Sequence, residues 1–146
     1  MLRFRNITAT PADPVETWGT EGILTALERG TLTHFNQIAR AAKNPESDVA
    51  REFEEAASLC ERPFPVAYIR NKLRVFRATP EELVAMRLRT AQIQLGVTQA
   101  EFAELLGTSA SRLSTYLSAK VTPSAAVLVA AERLVARDSR RALTRS

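Results

Sequence analysis

The 146 residues contain one cysteine, Cys60, and one histidine, His34. A structural zinc site takes about four ligands, so neither a zinc finger nor a Cys/His cluster can be assembled, and no metal or other cofactor is expected. No apolar run approaches the roughly 20 residues of a membrane-spanning helix. The N-terminal stretch MLRFRNITATPADP lacks the apolar core of a secretory signal, so the cytoplasm is the expected compartment. Catalytic chemistry is equally sparse. There is no phosphate-binding loop, and His34 with Cys60 is the one base and nucleophile that could be paired. Cys60 falls on an apolar helical stripe, where a cysteine packs as a small hydrophobe, so an enzyme is not expected.

Hydrophobic residues make up 45% of the chain, enough for a packed core. Divided at Pro63, the charge is uneven: 7 basic and 10 acidic side chains precede it, 13 and 6 follow. A basic second part joined to a slightly acidic first suggests a polyanion-binding segment attached to something with another task.

Taken in order, Leu2 and Phe4 alternate with Arg3 and Arg5, which predicts a short edge strand or an extended arm. Asp13-Pro14-Val15-Glu16 offers a cap, a proline at the first helical position and a following glutamate, the signature of a helix start. Trp18, Ile23, Leu24 and Leu27 give that helix an apolar face, and Gly30 stops it. Thr31 caps a second helix with Phe35, Ile38, Ala39 and Ala42 inside. Val49, Phe53, Ala56, Ala57 and Cys60 form the stripe of a third, with Arg51, Glu52, Glu54 and Glu55 outside. Pro63 and Pro65 interrupt the chain. A fourth helix buries Val66, Ile69, Leu73 and Phe76 and turns Arg70, Lys72, Arg74 and Arg77 outward, a face read first as solvated and second as part of a polyanion-binding surface.

Thr79-Pro80-Glu81-Glu82 repeats the start signal, and Val84, Leu88, Ala91 and Leu95 form a stripe that ends at Gly96. The outward face carries Arg87 and Arg89. Thr98-Gln99-Ala100-Glu101 is a capping box for a short helix that buries Phe102, Ala103, Leu105 and Leu106. Gly107 supplies the left-handed residue of a sharp turn. Ser109 then caps a helix that buries Leu113 with Tyr116 or Leu117 and shows Ala110, Ser111, Ser114, Thr115 and Ser118 to the outside. Short side chains and the absence of carboxylates suit close approach to a phosphate backbone. Helix, tight turn and helix together read as a helix-turn-helix. Thr122-Pro123 starts a final amphipathic helix with Val127, Leu128, Ala131, Leu134 and Val135. Arg133, Arg137, Arg140, Arg141 and Arg145 follow as a tail with two readings, phosphate contact or simple fraying, of which fraying is the one expected.

Thr98, Gln99, Ala103, Gly107, Leu113, Tyr116 and the helix after Thr122-Pro123 resemble, by position, the lambda-repressor-like (Cro and phage-repressor, XRE-type) helix-turn-helix domains, over about residues 80 to 136. The resemblance implies base contacts from Ala110, Ser111, Arg112 and Thr115. It implies phosphate contacts from Gln99, Thr108, Ser114, Lys120 and Thr122. Two positions depart from the family. Ala110 and Ser111 stand where longer polar side chains are common, which leaves readout to thymine methyl contacts, Arg112, water or DNA shape. Ala119 stands where glycine is common. The segment Pro14-Val15-Glu16-Thr17-Trp18 is similar to an N-terminal helical module of bacterial regulators, a likeness that implies no activity.

The expected fold class is all-α, with an N-terminal helical bundle over residues 1–77, a dimerisation or partner-binding domain, and a helix-turn-helix DNA-binding domain over 78–146. The expected function is that of a sequence-specific regulator, a repressor acting as a homodimer on a palindromic operator in double-stranded DNA. The rival is an antitoxin whose acidic N-terminal bundle binds a protein partner while the second domain represses the shared promoter.

Overall fold

The computed structural model describes residues 1–145, so the last residue of the expected second domain lies outside the described residues. Every regular element among them is helical. They divide into two compact units, Met1–Arg77 and a second that begins at Ala78.

The first unit opens with an extended arm rather than a strand. Leu2 and Phe4 turn inward to the core while Arg3 and Arg5 remain exposed. The Asp13-Pro14 signal starts only a 3-10 turn, Val15–Thr17, and helix α1 follows at Gly19–Arg29. The reason is local. The Asp13 carboxylate is turned backward and accepts from the Thr10 amide at 2.7 Å and the Thr10 hydroxyl at 3.0 Å. The Asp13 carbonyl accepts from the indole N–H of Trp18 at 3.0 Å, which satisfies the one polar atom of that buried ring. Gly30 ends α1 in an extended conformation, and a Cβ there would lie 2.4 Å from the Ala26 carbonyl oxygen.

Helices α2 (Leu32–Ala41), α3 (Asp48–Leu59) and α4 (Pro63–Arg77) complete the unit. At the start of α2 the His34 Nδ1 accepts from the Thr31 amide at 3.0 Å, the role a glutamate has in a capping box. Helix α1 packs on α3 and α2 on α4, around Trp18, Phe53, Ile23, Leu27, Ile38 and Ile69. Pro63 and Pro65 do not break the chain. They occupy the first turn of α4, where a missing N–H costs nothing, and Pro65 is buried. Glu52 was expected on the exposed side of α3 but is half-buried, its Oε2 without a hydrogen-bond partner. Desolvation raises its carboxyl above the usual range, with Arg51 opposing.

The face of α4 that carries Arg70, Lys72, Arg74 and Arg77 is engaged within its own unit. Arg70 pairs with Glu54 at 2.9 Å and Arg74 donates to the side-chain Oδ1 of Asn71 at 2.9 Å. The Lys72 ammonium lies 5.6 Å from the Tyr68 ring centre. Arg77 donates to the Ala42 and Lys43 carbonyls at 2.8 and 3.0 Å, the free end of α2. Arg62 does the same for α1, reaching the Glu28 carbonyl at 2.7 Å. Each supplies a positive donor to carbonyls that a helix leaves orphaned.

This division also redistributes the charge. With α4 in the first unit, residues 1–77 hold 11 basic and 10 acidic side chains, and residues 78–146 hold 9 and 6. The second part is still the more positive, at +3 against +1, but the contrast seen about Pro63 came largely from α4.

The second unit contains α5 (Pro80–Leu95), α6 (Gln99–Leu105), α7 (Ala110–Leu117) and α8 (Ala125–Thr144). Both halves of the Thr79 capping box form: Thr79 Oγ1 accepts from the Glu82 amide at 3.2 Å and Glu82 Oε2 from the Thr79 amide at 3.0 Å. Leu88, Ala91, Phe102, Ala103, Leu113, Leu117 and Ala131 form the core. Leu105 was expected to join it, yet is 51% exposed near the end of α6. Helix α8 extends past its stripe. It continues to Thr144, although every described residue from Ala136 onward is exposed. No helix among the described residues is long and apolar enough to cross a membrane.

Candidate nucleic-acid interface

The site is built on α6 and α7, and its precision comes from how those helices begin and end. Thr98 Oγ1 accepts from the Glu101 amide at 3.2 Å, and Ser109 Oγ from the Arg112 amide at 3.1 Å. These hydroxyls stand in for the missing preceding turn. The Thr98 box is only half closed, because the Glu101 side chain makes no return bond to the Thr98 amide.

Both helices end in the same double hydrogen-bonded turn. After α6, Thr108 N–H donates to the Ala103 carbonyl at 2.9 Å and Gly107 N–H to the Glu104 carbonyl at 3.1 Å. After α7, Lys120 N–H donates to Thr115 at 3.0 Å and Ala119 N–H to Tyr116 at 3.2 Å. This pair of bonds needs a left-handed residue between them. Gly107 supplies it at φ +69° without strain. Ala119 supplies it at φ +59°, the one non-glycine residue with positive φ among the described residues. The turn after α7 is thus formed with alanine in the position where glycine is common.

Two helices so terminated can place side chains reproducibly. Ala110, Ser111 and Arg112 are exposed on the first turn of α7, with Ser114 exposed and Thr115 half-buried behind them. The Gln99 side chain lies beside that turn, its Nε2 3.5 Å from the Ala110 carbonyl, which brings the starts of α6 and α7 together. Lys120 and Thr122 are exposed on the turn that follows α7, and Thr108 is half-buried on the turn between the helices. Neither Arg112 nor Lys120 is in an ion pair with a described residue, so both charges are available to an anion. Thr115 is more constrained. Its hydroxyl donates to the Arg112 carbonyl at 2.6 Å, which leaves its methyl group and the acceptor capacity of its oxygen for any further contact.

Two arginines expected on the outward face of α5 are engaged. Arg89 donates to the Leu117 carbonyl and closes the C-terminal end of α7, while Arg87 pairs with Glu132 of α8. Arg89 is the functional support that sequence reading missed, since a bond spanning 28 residues leaves no local signal.

His34 and Cys60 are each occupied elsewhere. Cys60 Sγ–H donates to the Arg62 carbonyl at 3.5 Å, and His34 serves the start of α2. Among the described residues no group of three or more His, Cys, Asp or Glu side chains could hold a metal ion.

Residues 83–143 match the family model described as a helix-turn-helix domain. The second unit carries a helix-turn-helix domain. The match runs from the first turns of α5 almost to the end of α8, so it includes the whole of α6 and α7. It supports DNA binding and the regulation of transcription as the work of this unit. Neither the curated proteins nor the solved structures give a match to the chain.

Proposed function

We propose that the chain is a sequence-specific DNA-binding repressor of the lambda-repressor-like kind, acting in the cytoplasm as a homodimer on a palindromic operator. The observation that carries this reading is the exposed first turn of α7, capped by Ser109 and free of carboxylates, with Arg112 on that turn and Lys120 on the turn after α7, neither in an ion pair with a described residue. In such modules the second helix enters the major groove and half-sites lie about one helical turn apart. Ala110, Ser111, Arg112 and Thr115 then face base edges. Gln99, Thr108, Ser114, Lys120 and Thr122 hold the phosphates and fix the register. With short residues at two reading positions, thymine methyl contacts, water and DNA shape carry much of the specificity.

The test is selection of bound fragments from random double-stranded DNA, followed by binding isotherms on the winner. Gln99→Ala is expected to weaken binding to all sequences alike, and Thr115→Ala to change which sequence is preferred. Isotherms that none of the substitutions at these nine positions altered would remove this face from the interface.

A further inference from the structure

Residues 1–12 form an arm fixed to the first unit by Phe4, whose ring meets Trp18 edge-on at 5.2 Å, and by Leu2, which packs on the core. Between the two ends of this arm and the junction of α1 and α2 lies a cavity of about 1270 Å³. Leu2 and Phe4 give it an apolar wall, and Arg3, Arg5, Arg29 and His34 line it as well. No aspartate or glutamate lines it. The arginines are exposed, and none of them joins an ion pair with a described residue. Glu21 and Glu28 border a smaller cavity of about 270 Å³ that also touches these arginines, and neither acid pairs with them.

Most other arginines of the unit are engaged: Arg51, Arg62, Arg70 and Arg77 each hold a carboxylate or a helix-end carbonyl and Arg74 holds Asn71, while Arg40 is exposed. Three exposed arginines, Arg3, Arg5 and Arg29, line a cavity that also has Leu2 and Phe4 in its wall and no acid among its lining residues, a composition that matches a molecule with an anionic head and an apolar body. A guanidinium accepts a carboxylate in a two-bond fork, and small-molecule sites combine apolar walls with a few polar groups of this kind.

We propose that this cavity binds a small organic acid, its carboxylate held by Arg3, Arg5 and Arg29 and its hydrocarbon body lying along Leu2 and Phe4. The site belongs to the first unit alone, so it stands or falls apart from the DNA-binding reading. Trp18 is the one tryptophan of the chain and touches Phe4, which makes it an internal reporter of occupancy.

The experiment titrates the full chain with decanoate and with naphthoate, following Trp18 emission and heat release, with decanol and decyltrimethylammonium as neutral and cationic controls. At least one acid is expected to saturate the signal while neither control does. Combined Arg3→Ala, Arg5→Ala and Arg29→Ala substitution is expected to weaken binding by at least about tenfold, as loss of charge-assisted hydrogen bonds implies. Thermal melting of that variant checks its fold, and Arg29→Gln alone replaces it if the fold is lost. The proposal is overturned if neither acid saturates, if the controls produce the same response, or if the folded arginine variant binds as tightly as the original chain.

Discussion

The Arg89 guanidinium on α5 donates to the carbonyl of Leu117, the last residue of α7. The helix proposed to read DNA is thereby tied at its C-terminal end to the helix behind it. A positive donor there meets both the orphan carbonyl and the negative end of the helix dipole. Arg89→Ala should lower unfolding stability by about 1 to 2 kcal/mol, the lower range for hydrogen bonds to charged groups because the arginine is itself exposed. Arg87→Ala, which removes only the exposed pair with Glu132, should cost no more than about 1 kcal/mol. Urea denaturation of both variants checks the ordering, and equal losses would count against a capping role for Arg89.

Ala119 gives a prediction of opposite sign. At φ +59° it carries the steric penalty of a left-handed residue with a Cβ, about 1 to 2 kcal/mol for L-amino acids. Glycine removes that penalty but adds about 0.5 to 1 kcal/mol of backbone entropy to be lost on folding. The balance favours Ala119→Gly by about 0.5 to 1 kcal/mol, read as a rise in the denaturation midpoint. A fall in midpoint would mean that the Ala119 Cβ makes contacts worth more than the strain.

Much of this turn chemistry is visible in the sequence. Thr79, Thr98 and Ser109 announce their helices because a cap depends on residues within one turn of it, and Gly96 and Gly107 announce their ends for the same reason. The failures lie where a distant or competing partner decides. Asp13 has the spacing of a cap, yet its carboxylate finds Thr10 first. Arg77 and Arg89 look like outward-facing charges until the fold brings each to a helix end. The caps and exposed small residues of α7 were legible because they depend on neighbours within the helix itself. The cavity beside the N-terminal arm was not, since Arg3, Arg5 and Arg29 line one cavity only when α1 and the arm are in place.

Glu52 and Glu55 are three residues apart on α3 and should respond to pH in opposite directions. The Glu55 carboxylate accepts from the Thr20 hydroxyl at 2.8 Å and from Arg51 at 3.0 Å, and these bonds, Thr20 first, hold its carboxyl below the usual range. Its folded pKa is depressed, so its contribution is present above the unfolded value and is lost as pH falls through the folded one. Glu52 is raised by desolvation, so the folded state binds its proton more tightly, and stability from this residue declines as pH rises through the interval between its unfolded and folded values. Glu52→Gln should therefore raise the urea midpoint at pH 7, and Glu55→Gln should lower it. Both differences should shrink at a pH below both carboxyl ranges, where the original side chains are also uncharged.

Lys120 and Arg77 separate a charge that binds DNA from one that holds the fold. Lys120 is exposed on the turn after α7, and its ammonium pairs with no described carboxylate. Arg77 donates to two carbonyls at the end of α2 within the first unit. Each phosphate contact on duplex DNA contributes about 0.9 to the slope of log affinity against log salt. Lys120→Ala should reduce that slope by about this amount, weaken binding to all sequences alike, and leave the denaturation midpoint near that of the original chain. Arg77→Ala should lower the midpoint by about 1 to 2 kcal/mol of stability and leave the salt slope unchanged. A salt titration at several concentrations, run beside urea denaturation of the same preparations, distinguishes the two roles. If Arg77→Ala changed the slope and Lys120→Ala did not, the DNA-binding face would have to be moved from α7 to α4.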